Sequence, residues 1–345
     1  MMKQDRKQFG RRGMLACAAF AFAGLTASGP SAAQEIRFAE QFGLLYLPMQ
    51  VVIHQKLIEK HAAKAGLSGV TGKMIKLSGG AAVNQALLSG NVEFASGGVG
   101  PLLTIWDKTH GTEDHVKAAF DLSKMPLKLL TNDPKVQKFE DYLKVEDHKI
   151  ATPSISSIQA VTLRMHAAKL WGEENSKKLD PLLVNMNHPT AVAAVLSGGQ
   201  TVKSHFATLP FSYQELKSGK VRMVLNSFDV LGGPHSIVSL YGTTKWVKDN
   251  PKLYKVVLDA YEEAFKYIDA DRGRAAQVYV DFTKSKLDVA DVKAMISDKN
   301  EMDYGPAPKG TMQYARFMHK DGAIKNLPSS WKDYFHESAH GLDGN

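Results

Sequence analysis

Ser78-Gly-Gly-Ala-Ala-Val-Asn-Gln-Ala-Leu-Leu-Ser-Gly90, running on through Asn91-Val-Glu-Phe-Ala-Ser-Gly-Gly-Val-Gly-Pro101, is the stretch whose reading decides the fold. Ser78-Gly79-Gly80 opens a helix that continues through Leu88 and stops at Ser89-Gly90, and Val92 to Ala95 then reads as a short strand. Upstream, Glu35 to Ala39 alternates like a strand, Leu47 to Ala65 carries helical spacing ending near Gly66, and Thr71 to Leu77 is a second strand. Strand, helix and strand in alternation predict an α/β fold with a parallel sheet covered by helices.

The pattern recurs downstream. Lys149 to Thr152 reads as a strand, Ser154 to Trp171 as a helix, Leu182 to Asn185 as a strand, Thr190 to Leu196 as a helix and Ser204 to Thr208 as a strand. Ala86-Leu-Leu-Ser-Gly90 is echoed by Ala194-Val-Leu-Ser-Gly198, and each leads into a strand and a Pro-containing loop, Gly97 to Pro101 or Leu209-Pro-Phe211. Two related α/β lobes are expected. The apolar stretches Pro126 to Leu130 and His235 to Leu240 are the expected hinge, carrying the chain from one lobe to the other and back. Lobe one then comprises residues 34–127 and 234–345, with a helical part from Val256 onward, and lobe two comprises residues 128–233.

At 345 residues, 44% hydrophobic and 23% charged, the chain can bury a full core. No apolar run reaches the roughly 18 residues a membrane span requires. The N-terminus places Lys3, Arg6, Lys7, Arg11 and Arg12 ahead of apolar Met14 to Leu25 and then a small-residue stretch, the order of a bacterial signal peptide. Ser31 and Ala33 occupy the small positions before a cleavage after Ala33. The adjacent Arg11-Arg12 fits a twin-arginine signal, with a plain basic region for the general route as the alternative. The only cysteine, Cys17, leaves with residues 1–33, which removes thiol chemistry from the mature chain and suits an oxidising periplasm. Loss of five Lys/Arg and one Asp also halves the formal charge of +8. No basic cluster interleaved with aromatics remains, so no nucleic-acid partner is expected.

Several segments, taken in order, resemble the periplasmic binding proteins of ABC importers for nitrate, sulfonates and taurine, and the related thiamine-pyrimidine binders. They are Gly43-Leu-Leu-Tyr-Leu-Pro48, the Ser78 to Gly100 block, Thr152-Pro-Ser-Ile-Ser-Ser-Ile-Gln159, and His188 to Gly198 leading to Phe206-Ala-Thr-Leu-Pro-Phe211. The resemblance runs from Glu35 to about Trp331. It implies a two-lobed periplasmic-binding-protein fold of type II, and a monomer that captures a small-molecule solute without a cofactor. It also implies separate permease and ATPase subunits as partners. The absence of a Gly-x4-Gly-Lys-Ser/Thr loop agrees that ATP chemistry belongs to another chain. Two turns depart from the family. Thr152-Pro153-Ser154 stands where sulfonate binders carry a Lys-Gly-Ser type turn, and Leu209-Pro210-Phe211 where they carry Asp-Pro-aromatic. The lost carboxylate argues against an amine-bearing ligand such as taurine, and leaves sulfonate-like, aromatic and heterocyclic solutes open.

In open α/β sheets ligands sit beyond the carboxyl ends of strands, where helix N-termini present unpaired N–H groups. The candidate ligand residues are therefore Ser78, Gly79 and Gly80, Gly98 and Val99, and Ser154, Ser156 and Ser157. For each serine, capping a helix is the competing role. Phe42, Tyr46, Phe211 and Tyr213 are candidate walls, with core packing as the alternative, and Pro210 is a ligand candidate in the turn before Phe211. His188 and His235 are candidates for a ring nitrogen at the ligand, with a purely structural role as the competitor.

His336-Glu-Ser-Ala-His340 argues for an enzyme, because the pattern places two zinc-binding histidines on one helical face. A third ligand has little room, since only five residues follow, and the motif is expected in a frayed tail. Catalytic zinc is therefore not expected, which leaves a weak surface metal site or chance composition. A thiamine-pyrimidine synthase is the other enzyme alternative, but its cysteine-rich segment is missing here. No Gly-x-Ser-x-Gly elbow supports hydrolase chemistry either.

Overall fold

The computed structural model describes residues 34–198 and 201–345. The leader read in residues 1–33, with its Arg11-Arg12 pair and Cys17, lies outside the described residues.

Among the described residues eleven strands form two mixed sheets. The strands are β1 (Gln34–Glu40), β2 (Val70–Lys76), β3 (Phe94–Gly98), β4 (Val116–Lys124), β5 (Lys128–Thr131), β6 (Lys149–Thr152), β7 (Leu183–Asn185), β8 (Val202–Ala207), β9 (Arg222–Asn226), β10 (Ser236–Thr243) and β11 (Asp303–Tyr304). The first sheet has the order β11-β4-β10-β3-β1-β2 and the second β7-β6-β8-β5-β9. In the first, β1 runs parallel to β2 and β3 while β10 runs antiparallel to β3 and β4. In the second, β6 is parallel to β7 and β8, and β5 is antiparallel to β8 and β9.

The alternation of Ile36 and Phe38 buries one face of β1, and register pairs Phe38 with Phe94, their rings stacked at 5.6 Å. Tyr261 from the helix Pro251–Ala270 closes on Phe38 and Phe120, so the C-terminal helices cover the first sheet.

Some boundaries differ from the sequence reading for identifiable reasons. The expected helix over Leu47 to Ala65 is two helices, Leu47–His54 and Leu57–Lys64, separated where Lys56 adopts a left-handed backbone at φ 52. A lysine there costs about 1 kcal/mol and carries no sequence signal. The bend seats the second helix on Pro251–Ala270, where Lys60 and His61 both reach Glu263. Strand β3 continues through Ser96-Gly97-Gly98, which reads as a loop. A Cβ on Gly97 would lie 2.6 Å from the Tyr241 hydroxyl, so glycine admits that ring.

The two crossings are present, with bounds shifted from the sequence reading. Residues 236–240 belong to β10 inside the first sheet, and residues 128–130 to β5 inside the second. The chain passes between the sheets at Met125–Leu127 and returns over residues 227–235. These two connections are bonded to each other: Leu127 N–H donates to Ser227 Oγ at 2.8 Å, and Ser227 N–H to the Leu127 carbonyl at 2.9 Å.

Candidate ligand-binding cleft

Several helices begin beside one small cavity between the sheets, and four of them follow directly on strand ends. These four are Gly80–Leu88, Val99–Lys108, Ile158–Trp171 and His188–Leu196. Each follows a strand carboxyl end, so backbone N–H groups and the positive ends of the helix dipoles converge there. Ser157 caps one helix by accepting from Ala160 N–H at 3.3 Å, and Asn187 caps another by accepting from Thr190 N–H at 3.0 Å.

The enclosed space is about 30 Å³. From the first-sheet side it is lined by Gln41, Phe42, Leu45 and Tyr46 after β1, by Gly80, Gly98 and Pro101, and by Ile237 and Val238 of β10. From the second-sheet side come Pro153, Ser157, Ile158, Gln159, His188 and Thr208. Both sheets contribute, and they meet closely around it. Leu44 N–H donates to the Leu209 carbonyl at 3.0 Å. A Cβ on Gly79 would lie 2.7 Å from the Pro153 carbonyl oxygen, and one on Gly100 2.8 Å from that of Ser156.

Of the residues singled out from sequence, Phe42, Tyr46, Gly80, Gly98, Ser157 and His188 line this space. The others stand outside it. Ser78 is solvent-exposed, and Gly79 is the N-cap where the two sides touch. Val99 turns into the core. Ser154 and Ser156 face each other, Oγ to Oγ at 3.3 Å. Pro210 is followed by Phe211, whose ring lies behind the lining, stacked on His188 at 5.2 Å. His235 sits at the return connection, its Nε2 2.8 Å from Ser227 Oγ and its ring pushed down to about 4 by burial. It belongs to the return connection and is not among the residues lining the cavity.

Two polar residues of the lining escaped the sequence reading although they lie within the quoted segments, Gln159 and Thr208. Thr208 is buried, and among the described residues its hydroxyl has no hydrogen-bond partner. A buried hydroxyl left unpaired costs roughly 1–3 kcal/mol, so one on a residue that lines a cavity marks a place for a ligand atom. The described lining contains no lysine or arginine.

Behind the lining runs a buried chain. His188 Nδ1 is 2.7 Å from His205 Nε2, and His205 Nδ1 is 2.9 Å from Glu215 Oε1. Burial pushes Glu215 up to about 8 and His205 down to about 3, and it drives His188 well below the usual histidine range, with the His205 charge as a lesser cause. All three are therefore neutral near pH 7. Neither His205 nor Glu215 announces itself in the sequence.

No protein-family model matches the sequence, and a comparison with curated proteins finds no match. Solved structures do match. The periplasmic nitrate-binding protein NrtA from Synechocystis PCC 6803 superposes with a TM-score of 0.66 at 16% identity, covering 88% of this chain and 84% of its own. The alkanesulfonate-binding protein SsuA from Xanthomonas axonopodis pv. citri, bound to MOPS, gives 0.64 at 14% identity, covering 86% and 96%. A Candida albicans gene product with the generic periplasmic-binding-protein fold gives 0.64 at 13%, covering 90% and 99%. The fold is that of the periplasmic binding proteins. Within it, the cavity lies where the two sheets face each other.

The zinc-protease pattern is not realised in this fold. Glu337–Ala339 is one turn of 3₁₀ helix preceded by an extended His336, so the two histidines do not share an α-helical face. His340 Nε2 lies 3.0 and 3.1 Å from the carbonyls of Lys332 and Phe335. The tail is not frayed. Phe335 is fully buried, His336 N–H donates to the Ala118 carbonyl, and Asn345 bonds back to Pro308 and Thr311. Among the described residues no group of three His, Cys, Asp or Glu is placed to hold a metal ion, and no helix is long and apolar enough to cross a membrane.

Proposed function

We propose that this protein is the extracytoplasmic solute-binding component of an ABC importer. It holds a small solute between residues 34–127 with 234–345 on one side and 128–233 on the other, and passes it to separate permease and ATPase subunits. The observation that carries this reading is the shared cavity: both sheets wall one space, helices begin beside it, and Thr208, whose hydroxyl has no partner among the described residues, lines it. At about 30 Å³ it has room for roughly two water molecules, the size of a small polar head group. A longer solute requires the sides to stand further apart, which motion about Met125–Leu127 and residues 227–235 supplies.

A sulfonate-like solute fits best. Its oxygens accept from convergent N–H and O–H donors, while Phe42, Leu45, Ile158 and Ile237 face its apolar part. Aromatic and heterocyclic solutes are the second class, favoured by Phe42 and Tyr46. The leader and the thiol-free mature chain support a periplasmic location. The expected state is a monomer in which a single cleft completes the site.

Thermal denaturation of the mature protein against ethanesulfonate, nitrate, a thiamine pyrimidine and benzoate tests the reading. One of them should stabilise it saturably, by about 2.7 kcal/mol at a hundredfold excess over Kd. Mass spectrometry of solute released from the freshly purified protein identifies the native ligand. No stabilisation by any of the four, together with no co-purifying solute, defeats the proposal.

A further inference from the structure

We propose that Glu215, His205 and His188 form a buried proton relay that makes His188 Nε2 a hydrogen-bond donor at neutral pH, so that the cleft selects an acceptor-only oxyanion head group. This deepens the solute-binding reading and rests on it for the ligand.

Glu215 is a fully buried carboxyl group with no lysine or arginine partner among the described residues. Among those residues its Oε2 has no hydrogen-bond partner, and Oε1 meets only His205 Nδ1. An unpaired buried carboxylate is costly, so the acid form prevails and its proton belongs on Oε1, the one oxygen with an acceptor in reach. His205 Nδ1 then accepts, which puts the His205 proton on Nε2, 2.7 Å from His188 Nδ1. That atom accepts in turn, and the His188 proton is left on Nε2. Among the described residues the hydrogen-bonding atom recorded at this last position is the Gln159 amide nitrogen at 3.4 Å, itself a donor, which cannot accept the Nε2 proton and leaves it for solute. Charging the rings is opposed by burial and by the helix N-terminus that His188 occupies.

The other ionisable groups on the packed elements are engaged elsewhere. Lys203 of β8 faces Asp133, Lys149 of β6 reaches the Pro181 carbonyl, and Lys128 of β5 pairs with Glu301. Tyr213 and Lys217, on the same helix as Glu215, both hold Asp291, and Arg164 holds Asp180. Tyr46 faces the cavity from the opposite side. Burial is the sole cause of the shifts of Glu215 and His205, so none of these charges drives the relay.

Loss of one proton inverts the chain. The His188 Nε2 proton leaves through the cavity, the His205 Nε2 proton moves to His188 Nδ1, and the Glu215 proton moves to His205 Nδ1. The wall then presents a lone pair and carries one negative charge. An oxyanion that binds the neutral donor form must lose affinity about tenfold for each pH unit above roughly 8.

Imidazole ¹⁵N spectra of the mature protein read the relay without any ligand, with the two rings assigned by their loss in His188→Gln and His205→Gln. Both rings should be Nε2–H tautomers at pH 6.5 and Nδ1–H tautomers by pH 10. Glu215→Gln retains a donor to His205 Nδ1 but cannot ionise, so its tautomers should stay fixed. Its affinity for ethanesulfonate should not change with pH, while that of the natural protein falls tenfold per unit above about pH 8. An Nδ1–H tautomer on His188 at pH 6.5 overturns the relay, as do rings that never switch, or a Glu215→Gln protein that keeps the natural pH slope. If ethanesulfonate binds at no pH, the sulfonate reading fails and the tautomers still decide the relay.

Discussion

Replacing Gly100 by alanine should separate closure of the cleft from the stability of its parts. Gly100 is the second residue of the helix Val99–Lys108, where the backbone suits any residue and alanine is favoured over glycine by about 1 kcal/mol. Viewed from its own side, the substitution is neutral or stabilising. What the new Cβ meets lies across the cleft: the Ser156 carbonyl oxygen at 2.8 Å, Val161 Cγ2 at 3.3 Å and Ile158 N at 3.5 Å. The first of these is backbone and cannot rotate aside, so the sides must part by several tenths of an ångström. Overpacking of this kind costs roughly 1–3 kcal/mol, here charged to the closed form alone. The closed population, and solute affinity with it, should fall by about 5- to 150-fold. The mature chain is expected to be free of thiols, so cysteines introduced at exposed Lys64 and Lys178 can report the distance between the sides by fluorescence transfer. Calorimetry with the co-purifying solute reports affinity, and urea unfolding should show no loss of stability. Unchanged distance and unchanged affinity in Gly100→Ala would refute the argument, because the clash exists only if the two sides meet as described.

Three further substitutions test other parts of the structure. Thr208→Val removes an unpaired buried hydroxyl at constant shape, so stability without solute should rise by up to about 1 kcal/mol while affinity falls about tenfold. A parallel loss of both would show that the hydroxyl serves the fold. Glu215→Gln should change the pH profile of stability. The folded pKa is raised from the ordinary 4.5 to about 8, so the contribution of Glu215 is fully present below pH 4.5 and is lost as pH rises towards 8. The shift is worth on the order of 5 kcal/mol at about 1.4 kcal/mol per unit. The melting temperature of the natural protein should fall relative to the variant between pH 5 and 8, and parallel curves would rule out the buried acid. Ser227→Ala removes the acceptor of Leu127 N–H and the partner of His235, and should cost about 1–3 kcal/mol in urea unfolding. A loss under 0.5 kcal/mol would mean that solvent replaces the hydroxyl at the hinge.

The order of strands and helices was legible because it is written in local periodicity. β6 falls where the alternation places it, and the helix after Ser78-Gly79-Gly80 runs to Leu88 as its apolar spacing requires. The misses are positions where a distant segment decides. Lys56 turns left-handed so that the next helix can reach Pro251–Ala270. Gly97 stays in a strand because Tyr241 covers it, and Ser236 to Leu240 joins the first sheet because β3 and β4 lie on either side. In the cleft, Gly80, Gly98, Ser157 and His188 could be found because helix starts after strands are visible in sequence. His205 looks like an ordinary residue of a core strand, and Glu215 like the exposed side of Phe-Ser-Tyr-Gln-Glu-Leu-Lys. Only the packing of that helix over His205 buries the carboxyl group.

This division explains how the fold can persist at 14–16% identity to an alkanesulfonate-binding and a nitrate-binding protein. Much of the cleft's shape depends on what is missing. Gly79 and Gly100 have no side chain, which lets the sides meet, and helix N-termini supply donors from the backbone, which almost any sequence can provide. Such a frame attracts negative charge without specifying its carrier. Specificity must then come from the few side chains that vary the wall, and here the wall lacks both the carboxylate that would hold an amine and any lysine or arginine. What remains to discriminate is the direction of individual hydrogen bonds. Thr208 can turn its hydroxyl either way, but His188 cannot choose, because its tautomer is dictated from Glu215 through His205. The residue that decides whether this cleft accepts an oxyanion therefore does not touch the solute, and it belongs to a helix that shows no sign of it in sequence.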